Sequence, residues 1–191
     1  MNIAFVTYTH GDEIPPKIFD GIDVLIANPM AKEKNVRSID ADLNRCFGKE
    51  GTGYEFELAK ILEKDLQKYA VVYDIHRTTA KTKFCAIITK KEDYVYALPF
   101  APEAVVIMHT EGSLISSVWR GVALEYPEEF AFGKQDPPLY EQCGDMAHVG
   151  LLPEGVSDFS PISFREEIVY PFLAGEKAYN GKCFLLKKIT Y

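Results

Sequence analysis

A histidine and a glutamate three residues apart, His10 and Glu13 in Thr9-His10-Gly11-Asp12-Glu13, stand where the first strongly apolar run of the chain stops. Imidazole nitrogen and carboxylate oxygen both bind zinc, and a loop at a strand end can turn two such side chains toward a common point. The run before them, Ile3-Ala4-Phe5-Val6 with Thr7 and Tyr8, is β-branched and aromatic and too short for a helix, which predicts a buried strand. A second run of the same kind, Ala70-Val71-Val72-Tyr73-Asp74-Ile75, ends in His76. Two imidazoles and a carboxylate, the third brought in from another strand, form the protein half of a catalytic zinc site with a position left open for water. A His-x-x-Glu pair by itself is more often a hydrogen-bonded loop pair, so the case for metal rests on the remaining residues.

Those residues are directional. Arg37, Asn44 and Arg45 fall in a polar, glycine-poor stretch; an arginine fork beside an amide donor can clamp a carboxylate, although solvated arginines and a turn asparagine are the ordinary alternative. Glu125 closes the apolar run Val122-Ala123-Leu124, where a carboxylate is costly to desolvate unless a cation or hydrogen-bond donor is near. A strand-end glutamate pointing to solvent is the competing reading.

The elements that must position these side chains alternate short apolar runs with helical stretches over the first two thirds of the chain. That pattern predicts an α/β fold built on a mixed, mostly parallel sheet with helices packed on it. Strands are expected at Ile3 to Thr7, Asp23 to Ala27, Val71 to Ile75, Phe84 to Thr89, Ala104 to Met108 and Val122 to Tyr126. A helix is expected from about Gly53 to Lys68, with Tyr54, Leu58, Ile61 and Leu62 on its apolar face, and a second around Glu111 to Trp119. After about Pro127, frequent proline and glycine break the chain into short pieces ending in a strand at Cys183 to Leu186. We therefore read residues 1–130 as the α/β domain and 131–191 as a short β-rich appendage covering the site.

Composition excludes several classes of function. With 191 residues, 47% hydrophobic and 26% charged, the chain can bury an ordinary globular core without disulfide staples. A net charge of −7 argues against general affinity for nucleic acid or anionic membranes. No signal-like leader or membrane-length apolar stretch is present, so cytoplasm is the expected compartment. The four cysteines lack C-x-x-C spacing and are expected to be free thiols.

Taken in order, H-G-D-E, N-P-x-A, Arg37 ahead of D-L-N-R-x-F, D-I-H-R-T-T, L-E-Y-P and a late P-x-x-x-x-E-x-A-Y ending at Tyr179 resemble the succinylglutamate desuccinylase and aspartoacylase family. That family is similar in fold and zinc chemistry to the zinc carboxypeptidases, which implies helices on both faces of the sheet. The resemblance implies one zinc ion per chain on His10, Glu13 and His76, with Asp74 orienting a ligand from behind. It implies Glu125 as proton carrier, Arg37 as oxyanion donor, Asn44 and Arg45 as the carboxylate clamp, and Tyr179 as a hydrogen-bond donor to substrate. The implied reaction is hydrolysis of a small N-acyl amino acid, with room for a homo-oligomer. A carboxypeptidase-like peptidase and a non-catalytic metal- or carboxylate-binding module are the alternatives.

Three departures from the family pattern bear on specificity. Arg77 stands where asparagine commonly follows the third ligand, and a guanidinium there favours an anionic substrate group or demands a nearby carboxylate. The arginine that aspartate-specific members carry before the catalytic glutamate is replaced by Ile115, leaving Arg77 and Arg120 as candidate substitutes. The C-terminal region is also short for the family, which implies a more open pocket. His109 and His148 fall in no matched motif and read as ordinary surface or core histidines.

Overall fold

A computed structural model describes residues 2–133 and 135–190. One twisted sheet organises the chain. Its strands are β1 (Ile3–Thr7), β2 (Leu25–Ile26), β3 (Val71–Arg77), β4 (Cys85–Ile88), β5 (Ala104–Ile107), β6 (Gly121–Tyr126), β7 (Leu139–Gln142), β8 (Ala147–His148), β9 (Ile162–Phe164), β10 (Glu167–Phe172) and β11 (Lys182–Lys188). The helices are α1 (Pro29–Lys34), α2 (Tyr54–Leu66), α3 (Tyr94–Ala97) and α4 (Leu114–Ser117).

The spatial order is β2-β1-β3-β6-β4-β5-β7-β11-β10-β9, with β8 added against β11. Pairing is parallel through β2, β1, β3 and β6 and again through β4, β5 and β7; β4 meets β6 antiparallel, and β11, β10, β9 and β8 join antiparallel. The sheet is therefore mixed and mostly parallel in its central part, and the strands after Pro137 continue it by backbone hydrogen bonding.

The central strands are buried on both faces, as parallel strands covered by helices must be. On β3, Val72 packs into a cluster with Leu62 and Leu66 of α2 and Leu114 and Ile115 of α4. Tyr73 and Ile75, pointing the other way, pack with Phe84, Tyr126 and Ala97 of α3. Strand alternation then puts Asp74 and His76 on the α2 face, and on the neighbouring strand it puts Ala123 and Glu125 there. A third cluster, with Leu152, Val169, Cys183 and Leu185, sits under the C-terminal strands.

Several elements differ from expectation. β2 is only Leu25–Ile26, and the helix expected over Glu111 to Trp119 is the single turn α4. The start of α1 follows capping chemistry: the Asn28 side chain accepts from Ala31 N, Pro29 occupies the first turn, and left-handed Asn35 ends the helix. The buried face of α2 is Glu55, Ala59, Leu62 and Leu66, with Ile61 58% exposed, so the register is rotated from the apolar stripe read in the sequence. The cause is Glu55, whose carboxylate is buried because it binds backbone. All four cysteines are free, three of them buried. No helix among the described residues is long and apolar enough to cross a membrane.

Candidate metal centre and substrate cleft

β1 ends at Thr7 with Tyr8 in the left-handed region (φ 57°), and the turn that follows presents His10 and Glu13 at the strand's C-terminal end. Gly11 is required by contact: a Cβ there would lie 2.1 Å from the backbone carbon of Ala31 in α1. β3 lies beside β1 and delivers His76, whose register partner on β6 is Glu125. Parallel neighbours spaced about 4.8 Å apart on the same face place that carboxylate beside the imidazole.

The Glu13 carboxylate lies between the two rings, with Oε1 2.7 Å from His10 Nδ1 and Oε2 2.8 Å from His76 Nδ1. These three residues offer ligand atoms that all lie within 4.8 Å of one another. Behind each imidazole a carboxylate holds the opposite nitrogen: Asp42 Oδ1 is 3.0 Å from His10 Nε2 and Asp74 Oδ2 is 2.8 Å from His76 Nε2. Asp74 is itself fixed by the Thr9 hydroxyl at 2.6 Å. Asp74 thereby orients the His76 ring and raises its basicity, while His10 Nε2 is shared between Asp42 and Arg37 Nη2, the latter at 2.9 Å. Two imidazoles with one carboxylate are a donor set that fits a divalent ion such as zinc. Burial opposes ionisation of Glu13, but the two imidazoles outweigh it and hold the carboxyl well below its usual range.

Asp42 also organises the donors. Its Oδ2 accepts from Arg37 Nη2 at 3.1 Å and its Oδ1 accepts from the Asn44 backbone N–H at 2.9 Å. The Asn44 side-chain oxygen accepts from Leu114 N, which fixes its side chain at the cavity wall, and Arg45 Nη1 donates to the Asn44 backbone carbonyl.

From the C-terminal segment, Glu176 accepts hydrogen bonds from the hydroxyls of Thr78 and Thr79 and from the amides of Thr79 and Ala178. This ties the turn carrying Tyr179 to the loop that follows His76. Burial, reinforced by the Glu125 carboxylate and opposed by Arg45 and Arg37, pushes Tyr179 up to about 12, so it stays a neutral O–H donor. Burial likewise raises Glu125 to about 7, against the pull of His76 and His10.

His10, Glu13, Arg37, Asn44, Arg45, His76, Arg77, Glu125 and Tyr179 all line a single inner cavity of about 50 Å³. It opens beside a wider cleft of about 1420 Å³. Asp42, Glu176 and Glu55 are the contributors that sequence reasoning passed over. Asp42 and Glu176 lie inside the quoted motifs, but their tasks are contacts to residues 32 and 98 positions away.

Residues 20–122 match the succinylglutamate desuccinylase/aspartoacylase catalytic domain. The chain belongs to this family. A "probable aspartoacylase" of Prochlorococcus marinus (strain MIT 9312) is 36% identical over 42% of this chain and 35% of its own length. An N-acyl-aromatic-L-amino acid amidohydrolase (carboxylate-forming) of Xenopus tropicalis is 35% identical over 40% of this chain and 28% of its own. The matched stretch thus spans about a third of those relatives. Among solved structures, murine aminoacylase 3 superposes with a TM-score of 0.77 at 20% identity, covering 99% of this chain and 95% of that one. Succinylglutamate desuccinylase from Chromobacterium violaceum gives 0.70 at 16% identity, covering 98% and 85%. These likenesses establish the fold.

Within this family member the candidate substitutes for the missing arginine separate clearly. Ile115 is 4% exposed in the core. Arg120 precedes β6, at the opposite end of the strand from Glu125, with its guanidinium over the Tyr96 ring at 4.9 Å. Arg77 alone of the two lines the site. His109 faces Glu141 at the surface, and His148 of β8 is the register partner of Lys182 of β11.

Proposed function

We propose that this protein hydrolyses the amide bond of an N-acyl amino acid, with a zinc ion held by His10, Glu13 and His76. The observation that carries the reading is the convergence of His10, Glu13, His76, Glu125, Arg37, Asn44 and Arg45 on one small cavity. The names of the Prochlorococcus and Xenopus relatives support the same reaction class.

Bound at the triad, zinc supplies Lewis acidity, which polarises a carbonyl and makes a water acidic enough to ionise near neutral pH. Glu125 accepts one proton of the attacking water and returns it to the amide nitrogen as the C–N bond breaks; the second water proton follows from the new carboxyl group to the amine, giving a carboxylate and an ammonium group. A carboxyl balanced near pH 7 can do both. Arg37, held by Asp42, donates to the oxygen that gains charge as the carbonyl becomes tetrahedral, a contribution of about 3–4 kcal/mol for a preorganised donor. Asn44 and Arg45 take the carboxylate of the amino acid, and the Tyr179 hydroxyl donates to the substrate.

Metal analysis of the purified protein, followed by turnover of a panel of N-acyl amino acids, tests this reading. Glu125→Gln should lower kcat by at least about 100-fold with metal content unchanged. Full turnover in that variant overturns the proton-carrier assignment.

A further inference from the structure

We propose that Leu173 is the steric wall of the amino-acid subsite, held in place by Asp158, so that the enzyme accepts N-acyl amino acids with a small side chain and rejects branched and aromatic ones. The proposal rests on the deacylase reading above and adds a substrate class to it.

In an N-acyl amino acid a single carbon separates the amide nitrogen from the carboxylate. With the amide at the triad and the carboxylate at Asn44 and Arg45, that carbon and the side chain it carries start inside the inner cavity, which all of these residues line. The cavity measures about 50 Å³, and one water occupies about 30 Å³ of liquid. Little room is left for a side chain.

Leu173 closes the space. Its neighbours around the cavity are mostly charged or hydrogen-bonding groups, and among the described residues lining it Leu173 is the one buried aliphatic side chain, 2% exposed. It lines the inner cavity and not the outer cleft.

The backbone shows how the wall is held. Leu173 directly follows β10 with φ 55°, a left-handed conformation that costs a leucine energy and persists only where the surroundings impose it. Asp158, 6% exposed, imposes it: Oδ2 accepts from Leu173 N at 2.7 Å and Oδ1 accepts from Ala174 N at 2.9 Å. The neighbouring Phe159 N donates to the Pro171 carbonyl at 2.9 Å, and the Leu173 carbonyl accepts from Glu176 N at 3.2 Å, so the turn is gripped on both sides. Leu173 shares its buried cluster with Phe159, Phe172 and Phe184, and withdrawing into that cluster would overpack it. Asp158 touches no substrate and acts through Leu173, as a positioning residue.

The test offers the metal-loaded protein N-acetylglycine and the N-acetyl derivatives of L-alanine, L-leucine and L-phenylalanine. The kcat/KM for the alanine compound should exceed those for the leucine and phenylalanine compounds by at least about tenfold. Leu173→Ala and Leu173→Gly should each shrink that ratio at least about fivefold. The glycine variant also relieves the left-handed backbone, which guards against loss of the fold. Asp158→Asn keeps one oxygen for two donors and should move the ratio the same way with metal content unchanged, whereas a purely structural role would lower all four substrates alike. A wild-type preference for the large side chains, or a ratio unmoved in both Leu173 variants, overturns the proposal. Calorimetric titration of the same four compounds separates it from the deacylase reading. A Leu173-dependent preference for binding the small compounds, without turnover of any, supports the wall and refutes the hydrolase. Turnover with no discrimination by size does the reverse, and binding of none of the four overturns the proposal.

Discussion

Glu55→Gln removes one oxygen from a carboxylate that holds together the loop behind the site. Oε1 accepts from Ile39 N at 2.6 Å and Asn28 Nδ2 at 3.2 Å; Oε2 accepts from Asp40 N at 2.9 Å and Ala41 N at 3.2 Å. A glutamine has a single oxygen, so whichever way its amide is set, two donors lose their acceptor and face an NH2 group. The residue is 0% exposed, which denies those donors water, and Asn28 is held by its own cap bond to Ala31 N. At about 1–3 kcal/mol for each buried donor left unsatisfied, the loss is about 2–6 kcal/mol. That is a large share of the roughly 5–15 kcal/mol that stabilises a typical domain. Urea unfolding should show a lowered midpoint with an unchanged slope. Burial opposes ionisation of Glu55, but bonds from Ile39, Asp40, Asn28 and Ala41 outweigh it and depress its carboxyl below the ordinary 4.5. A depressed carboxyl contributes stability above pH 4.5 and loses it as pH falls through its folded value, so the gap between wild type and variant should narrow in acid. A loss under about 1 kcal/mol, or a gap that does not depend on pH, would refute the argument that this carboxylate supports the loop.

Asp42→Asn cannot serve His10, Arg37 and the Asn44 amide together, and zinc affinity measured against a competing chelator should fall about 10–100-fold. Gly11→Ala places a Cβ 2.1 Å from the Ala31 backbone; the forced shift should cost about 1–3 kcal/mol in urea titration and lower zinc occupancy at the adjacent His10. Glu125 must be ionised to accept a proton, so kcat/KM should decline as pH drops through a value at or below about 7, and that limb should disappear in Glu125→Gln. Stripping the metal should lower the thermal midpoint reversibly, with zinc restoring it in a concentration-dependent way, because an ion that binds only the folded triad stabilises it by mass action.

Much of the site was legible because its parts are local. His10 and Glu13 share one turn after an apolar strand, His76 follows another, and Asn44-Arg45 are neighbours, so residue type and spacing alone identify candidates and the strands that carry them. Capping of α1 by Asn28 and Pro29 was equally local and could have been read from the same stretch. The tail strand at Cys183 to Leu186 and the span of α2 also follow from short-range pattern.

What pattern cannot supply is the partner of a charge. The apolar stripe on α2 put Ile61 inward, yet tertiary structure turned Glu55 into the core, because four donors from residues 28 and 39–41 outweigh the desolvation of one carboxylate. Asp42 and Glu176 gained their tasks only when distant segments closed on them. Arg77 could have been neutralised by a neighbouring carboxylate or left open to a ligand, and residue order gives no basis for choosing. The sequence by itself determined which groups are available to hold a metal ion, carry a proton or bind an anion. Tertiary structure decided which of them are already satisfied within the protein, as Arg37 is by Asp42 and Glu13, and which, like the Arg77 guanidinium, line the cleft without a partner among the described residues.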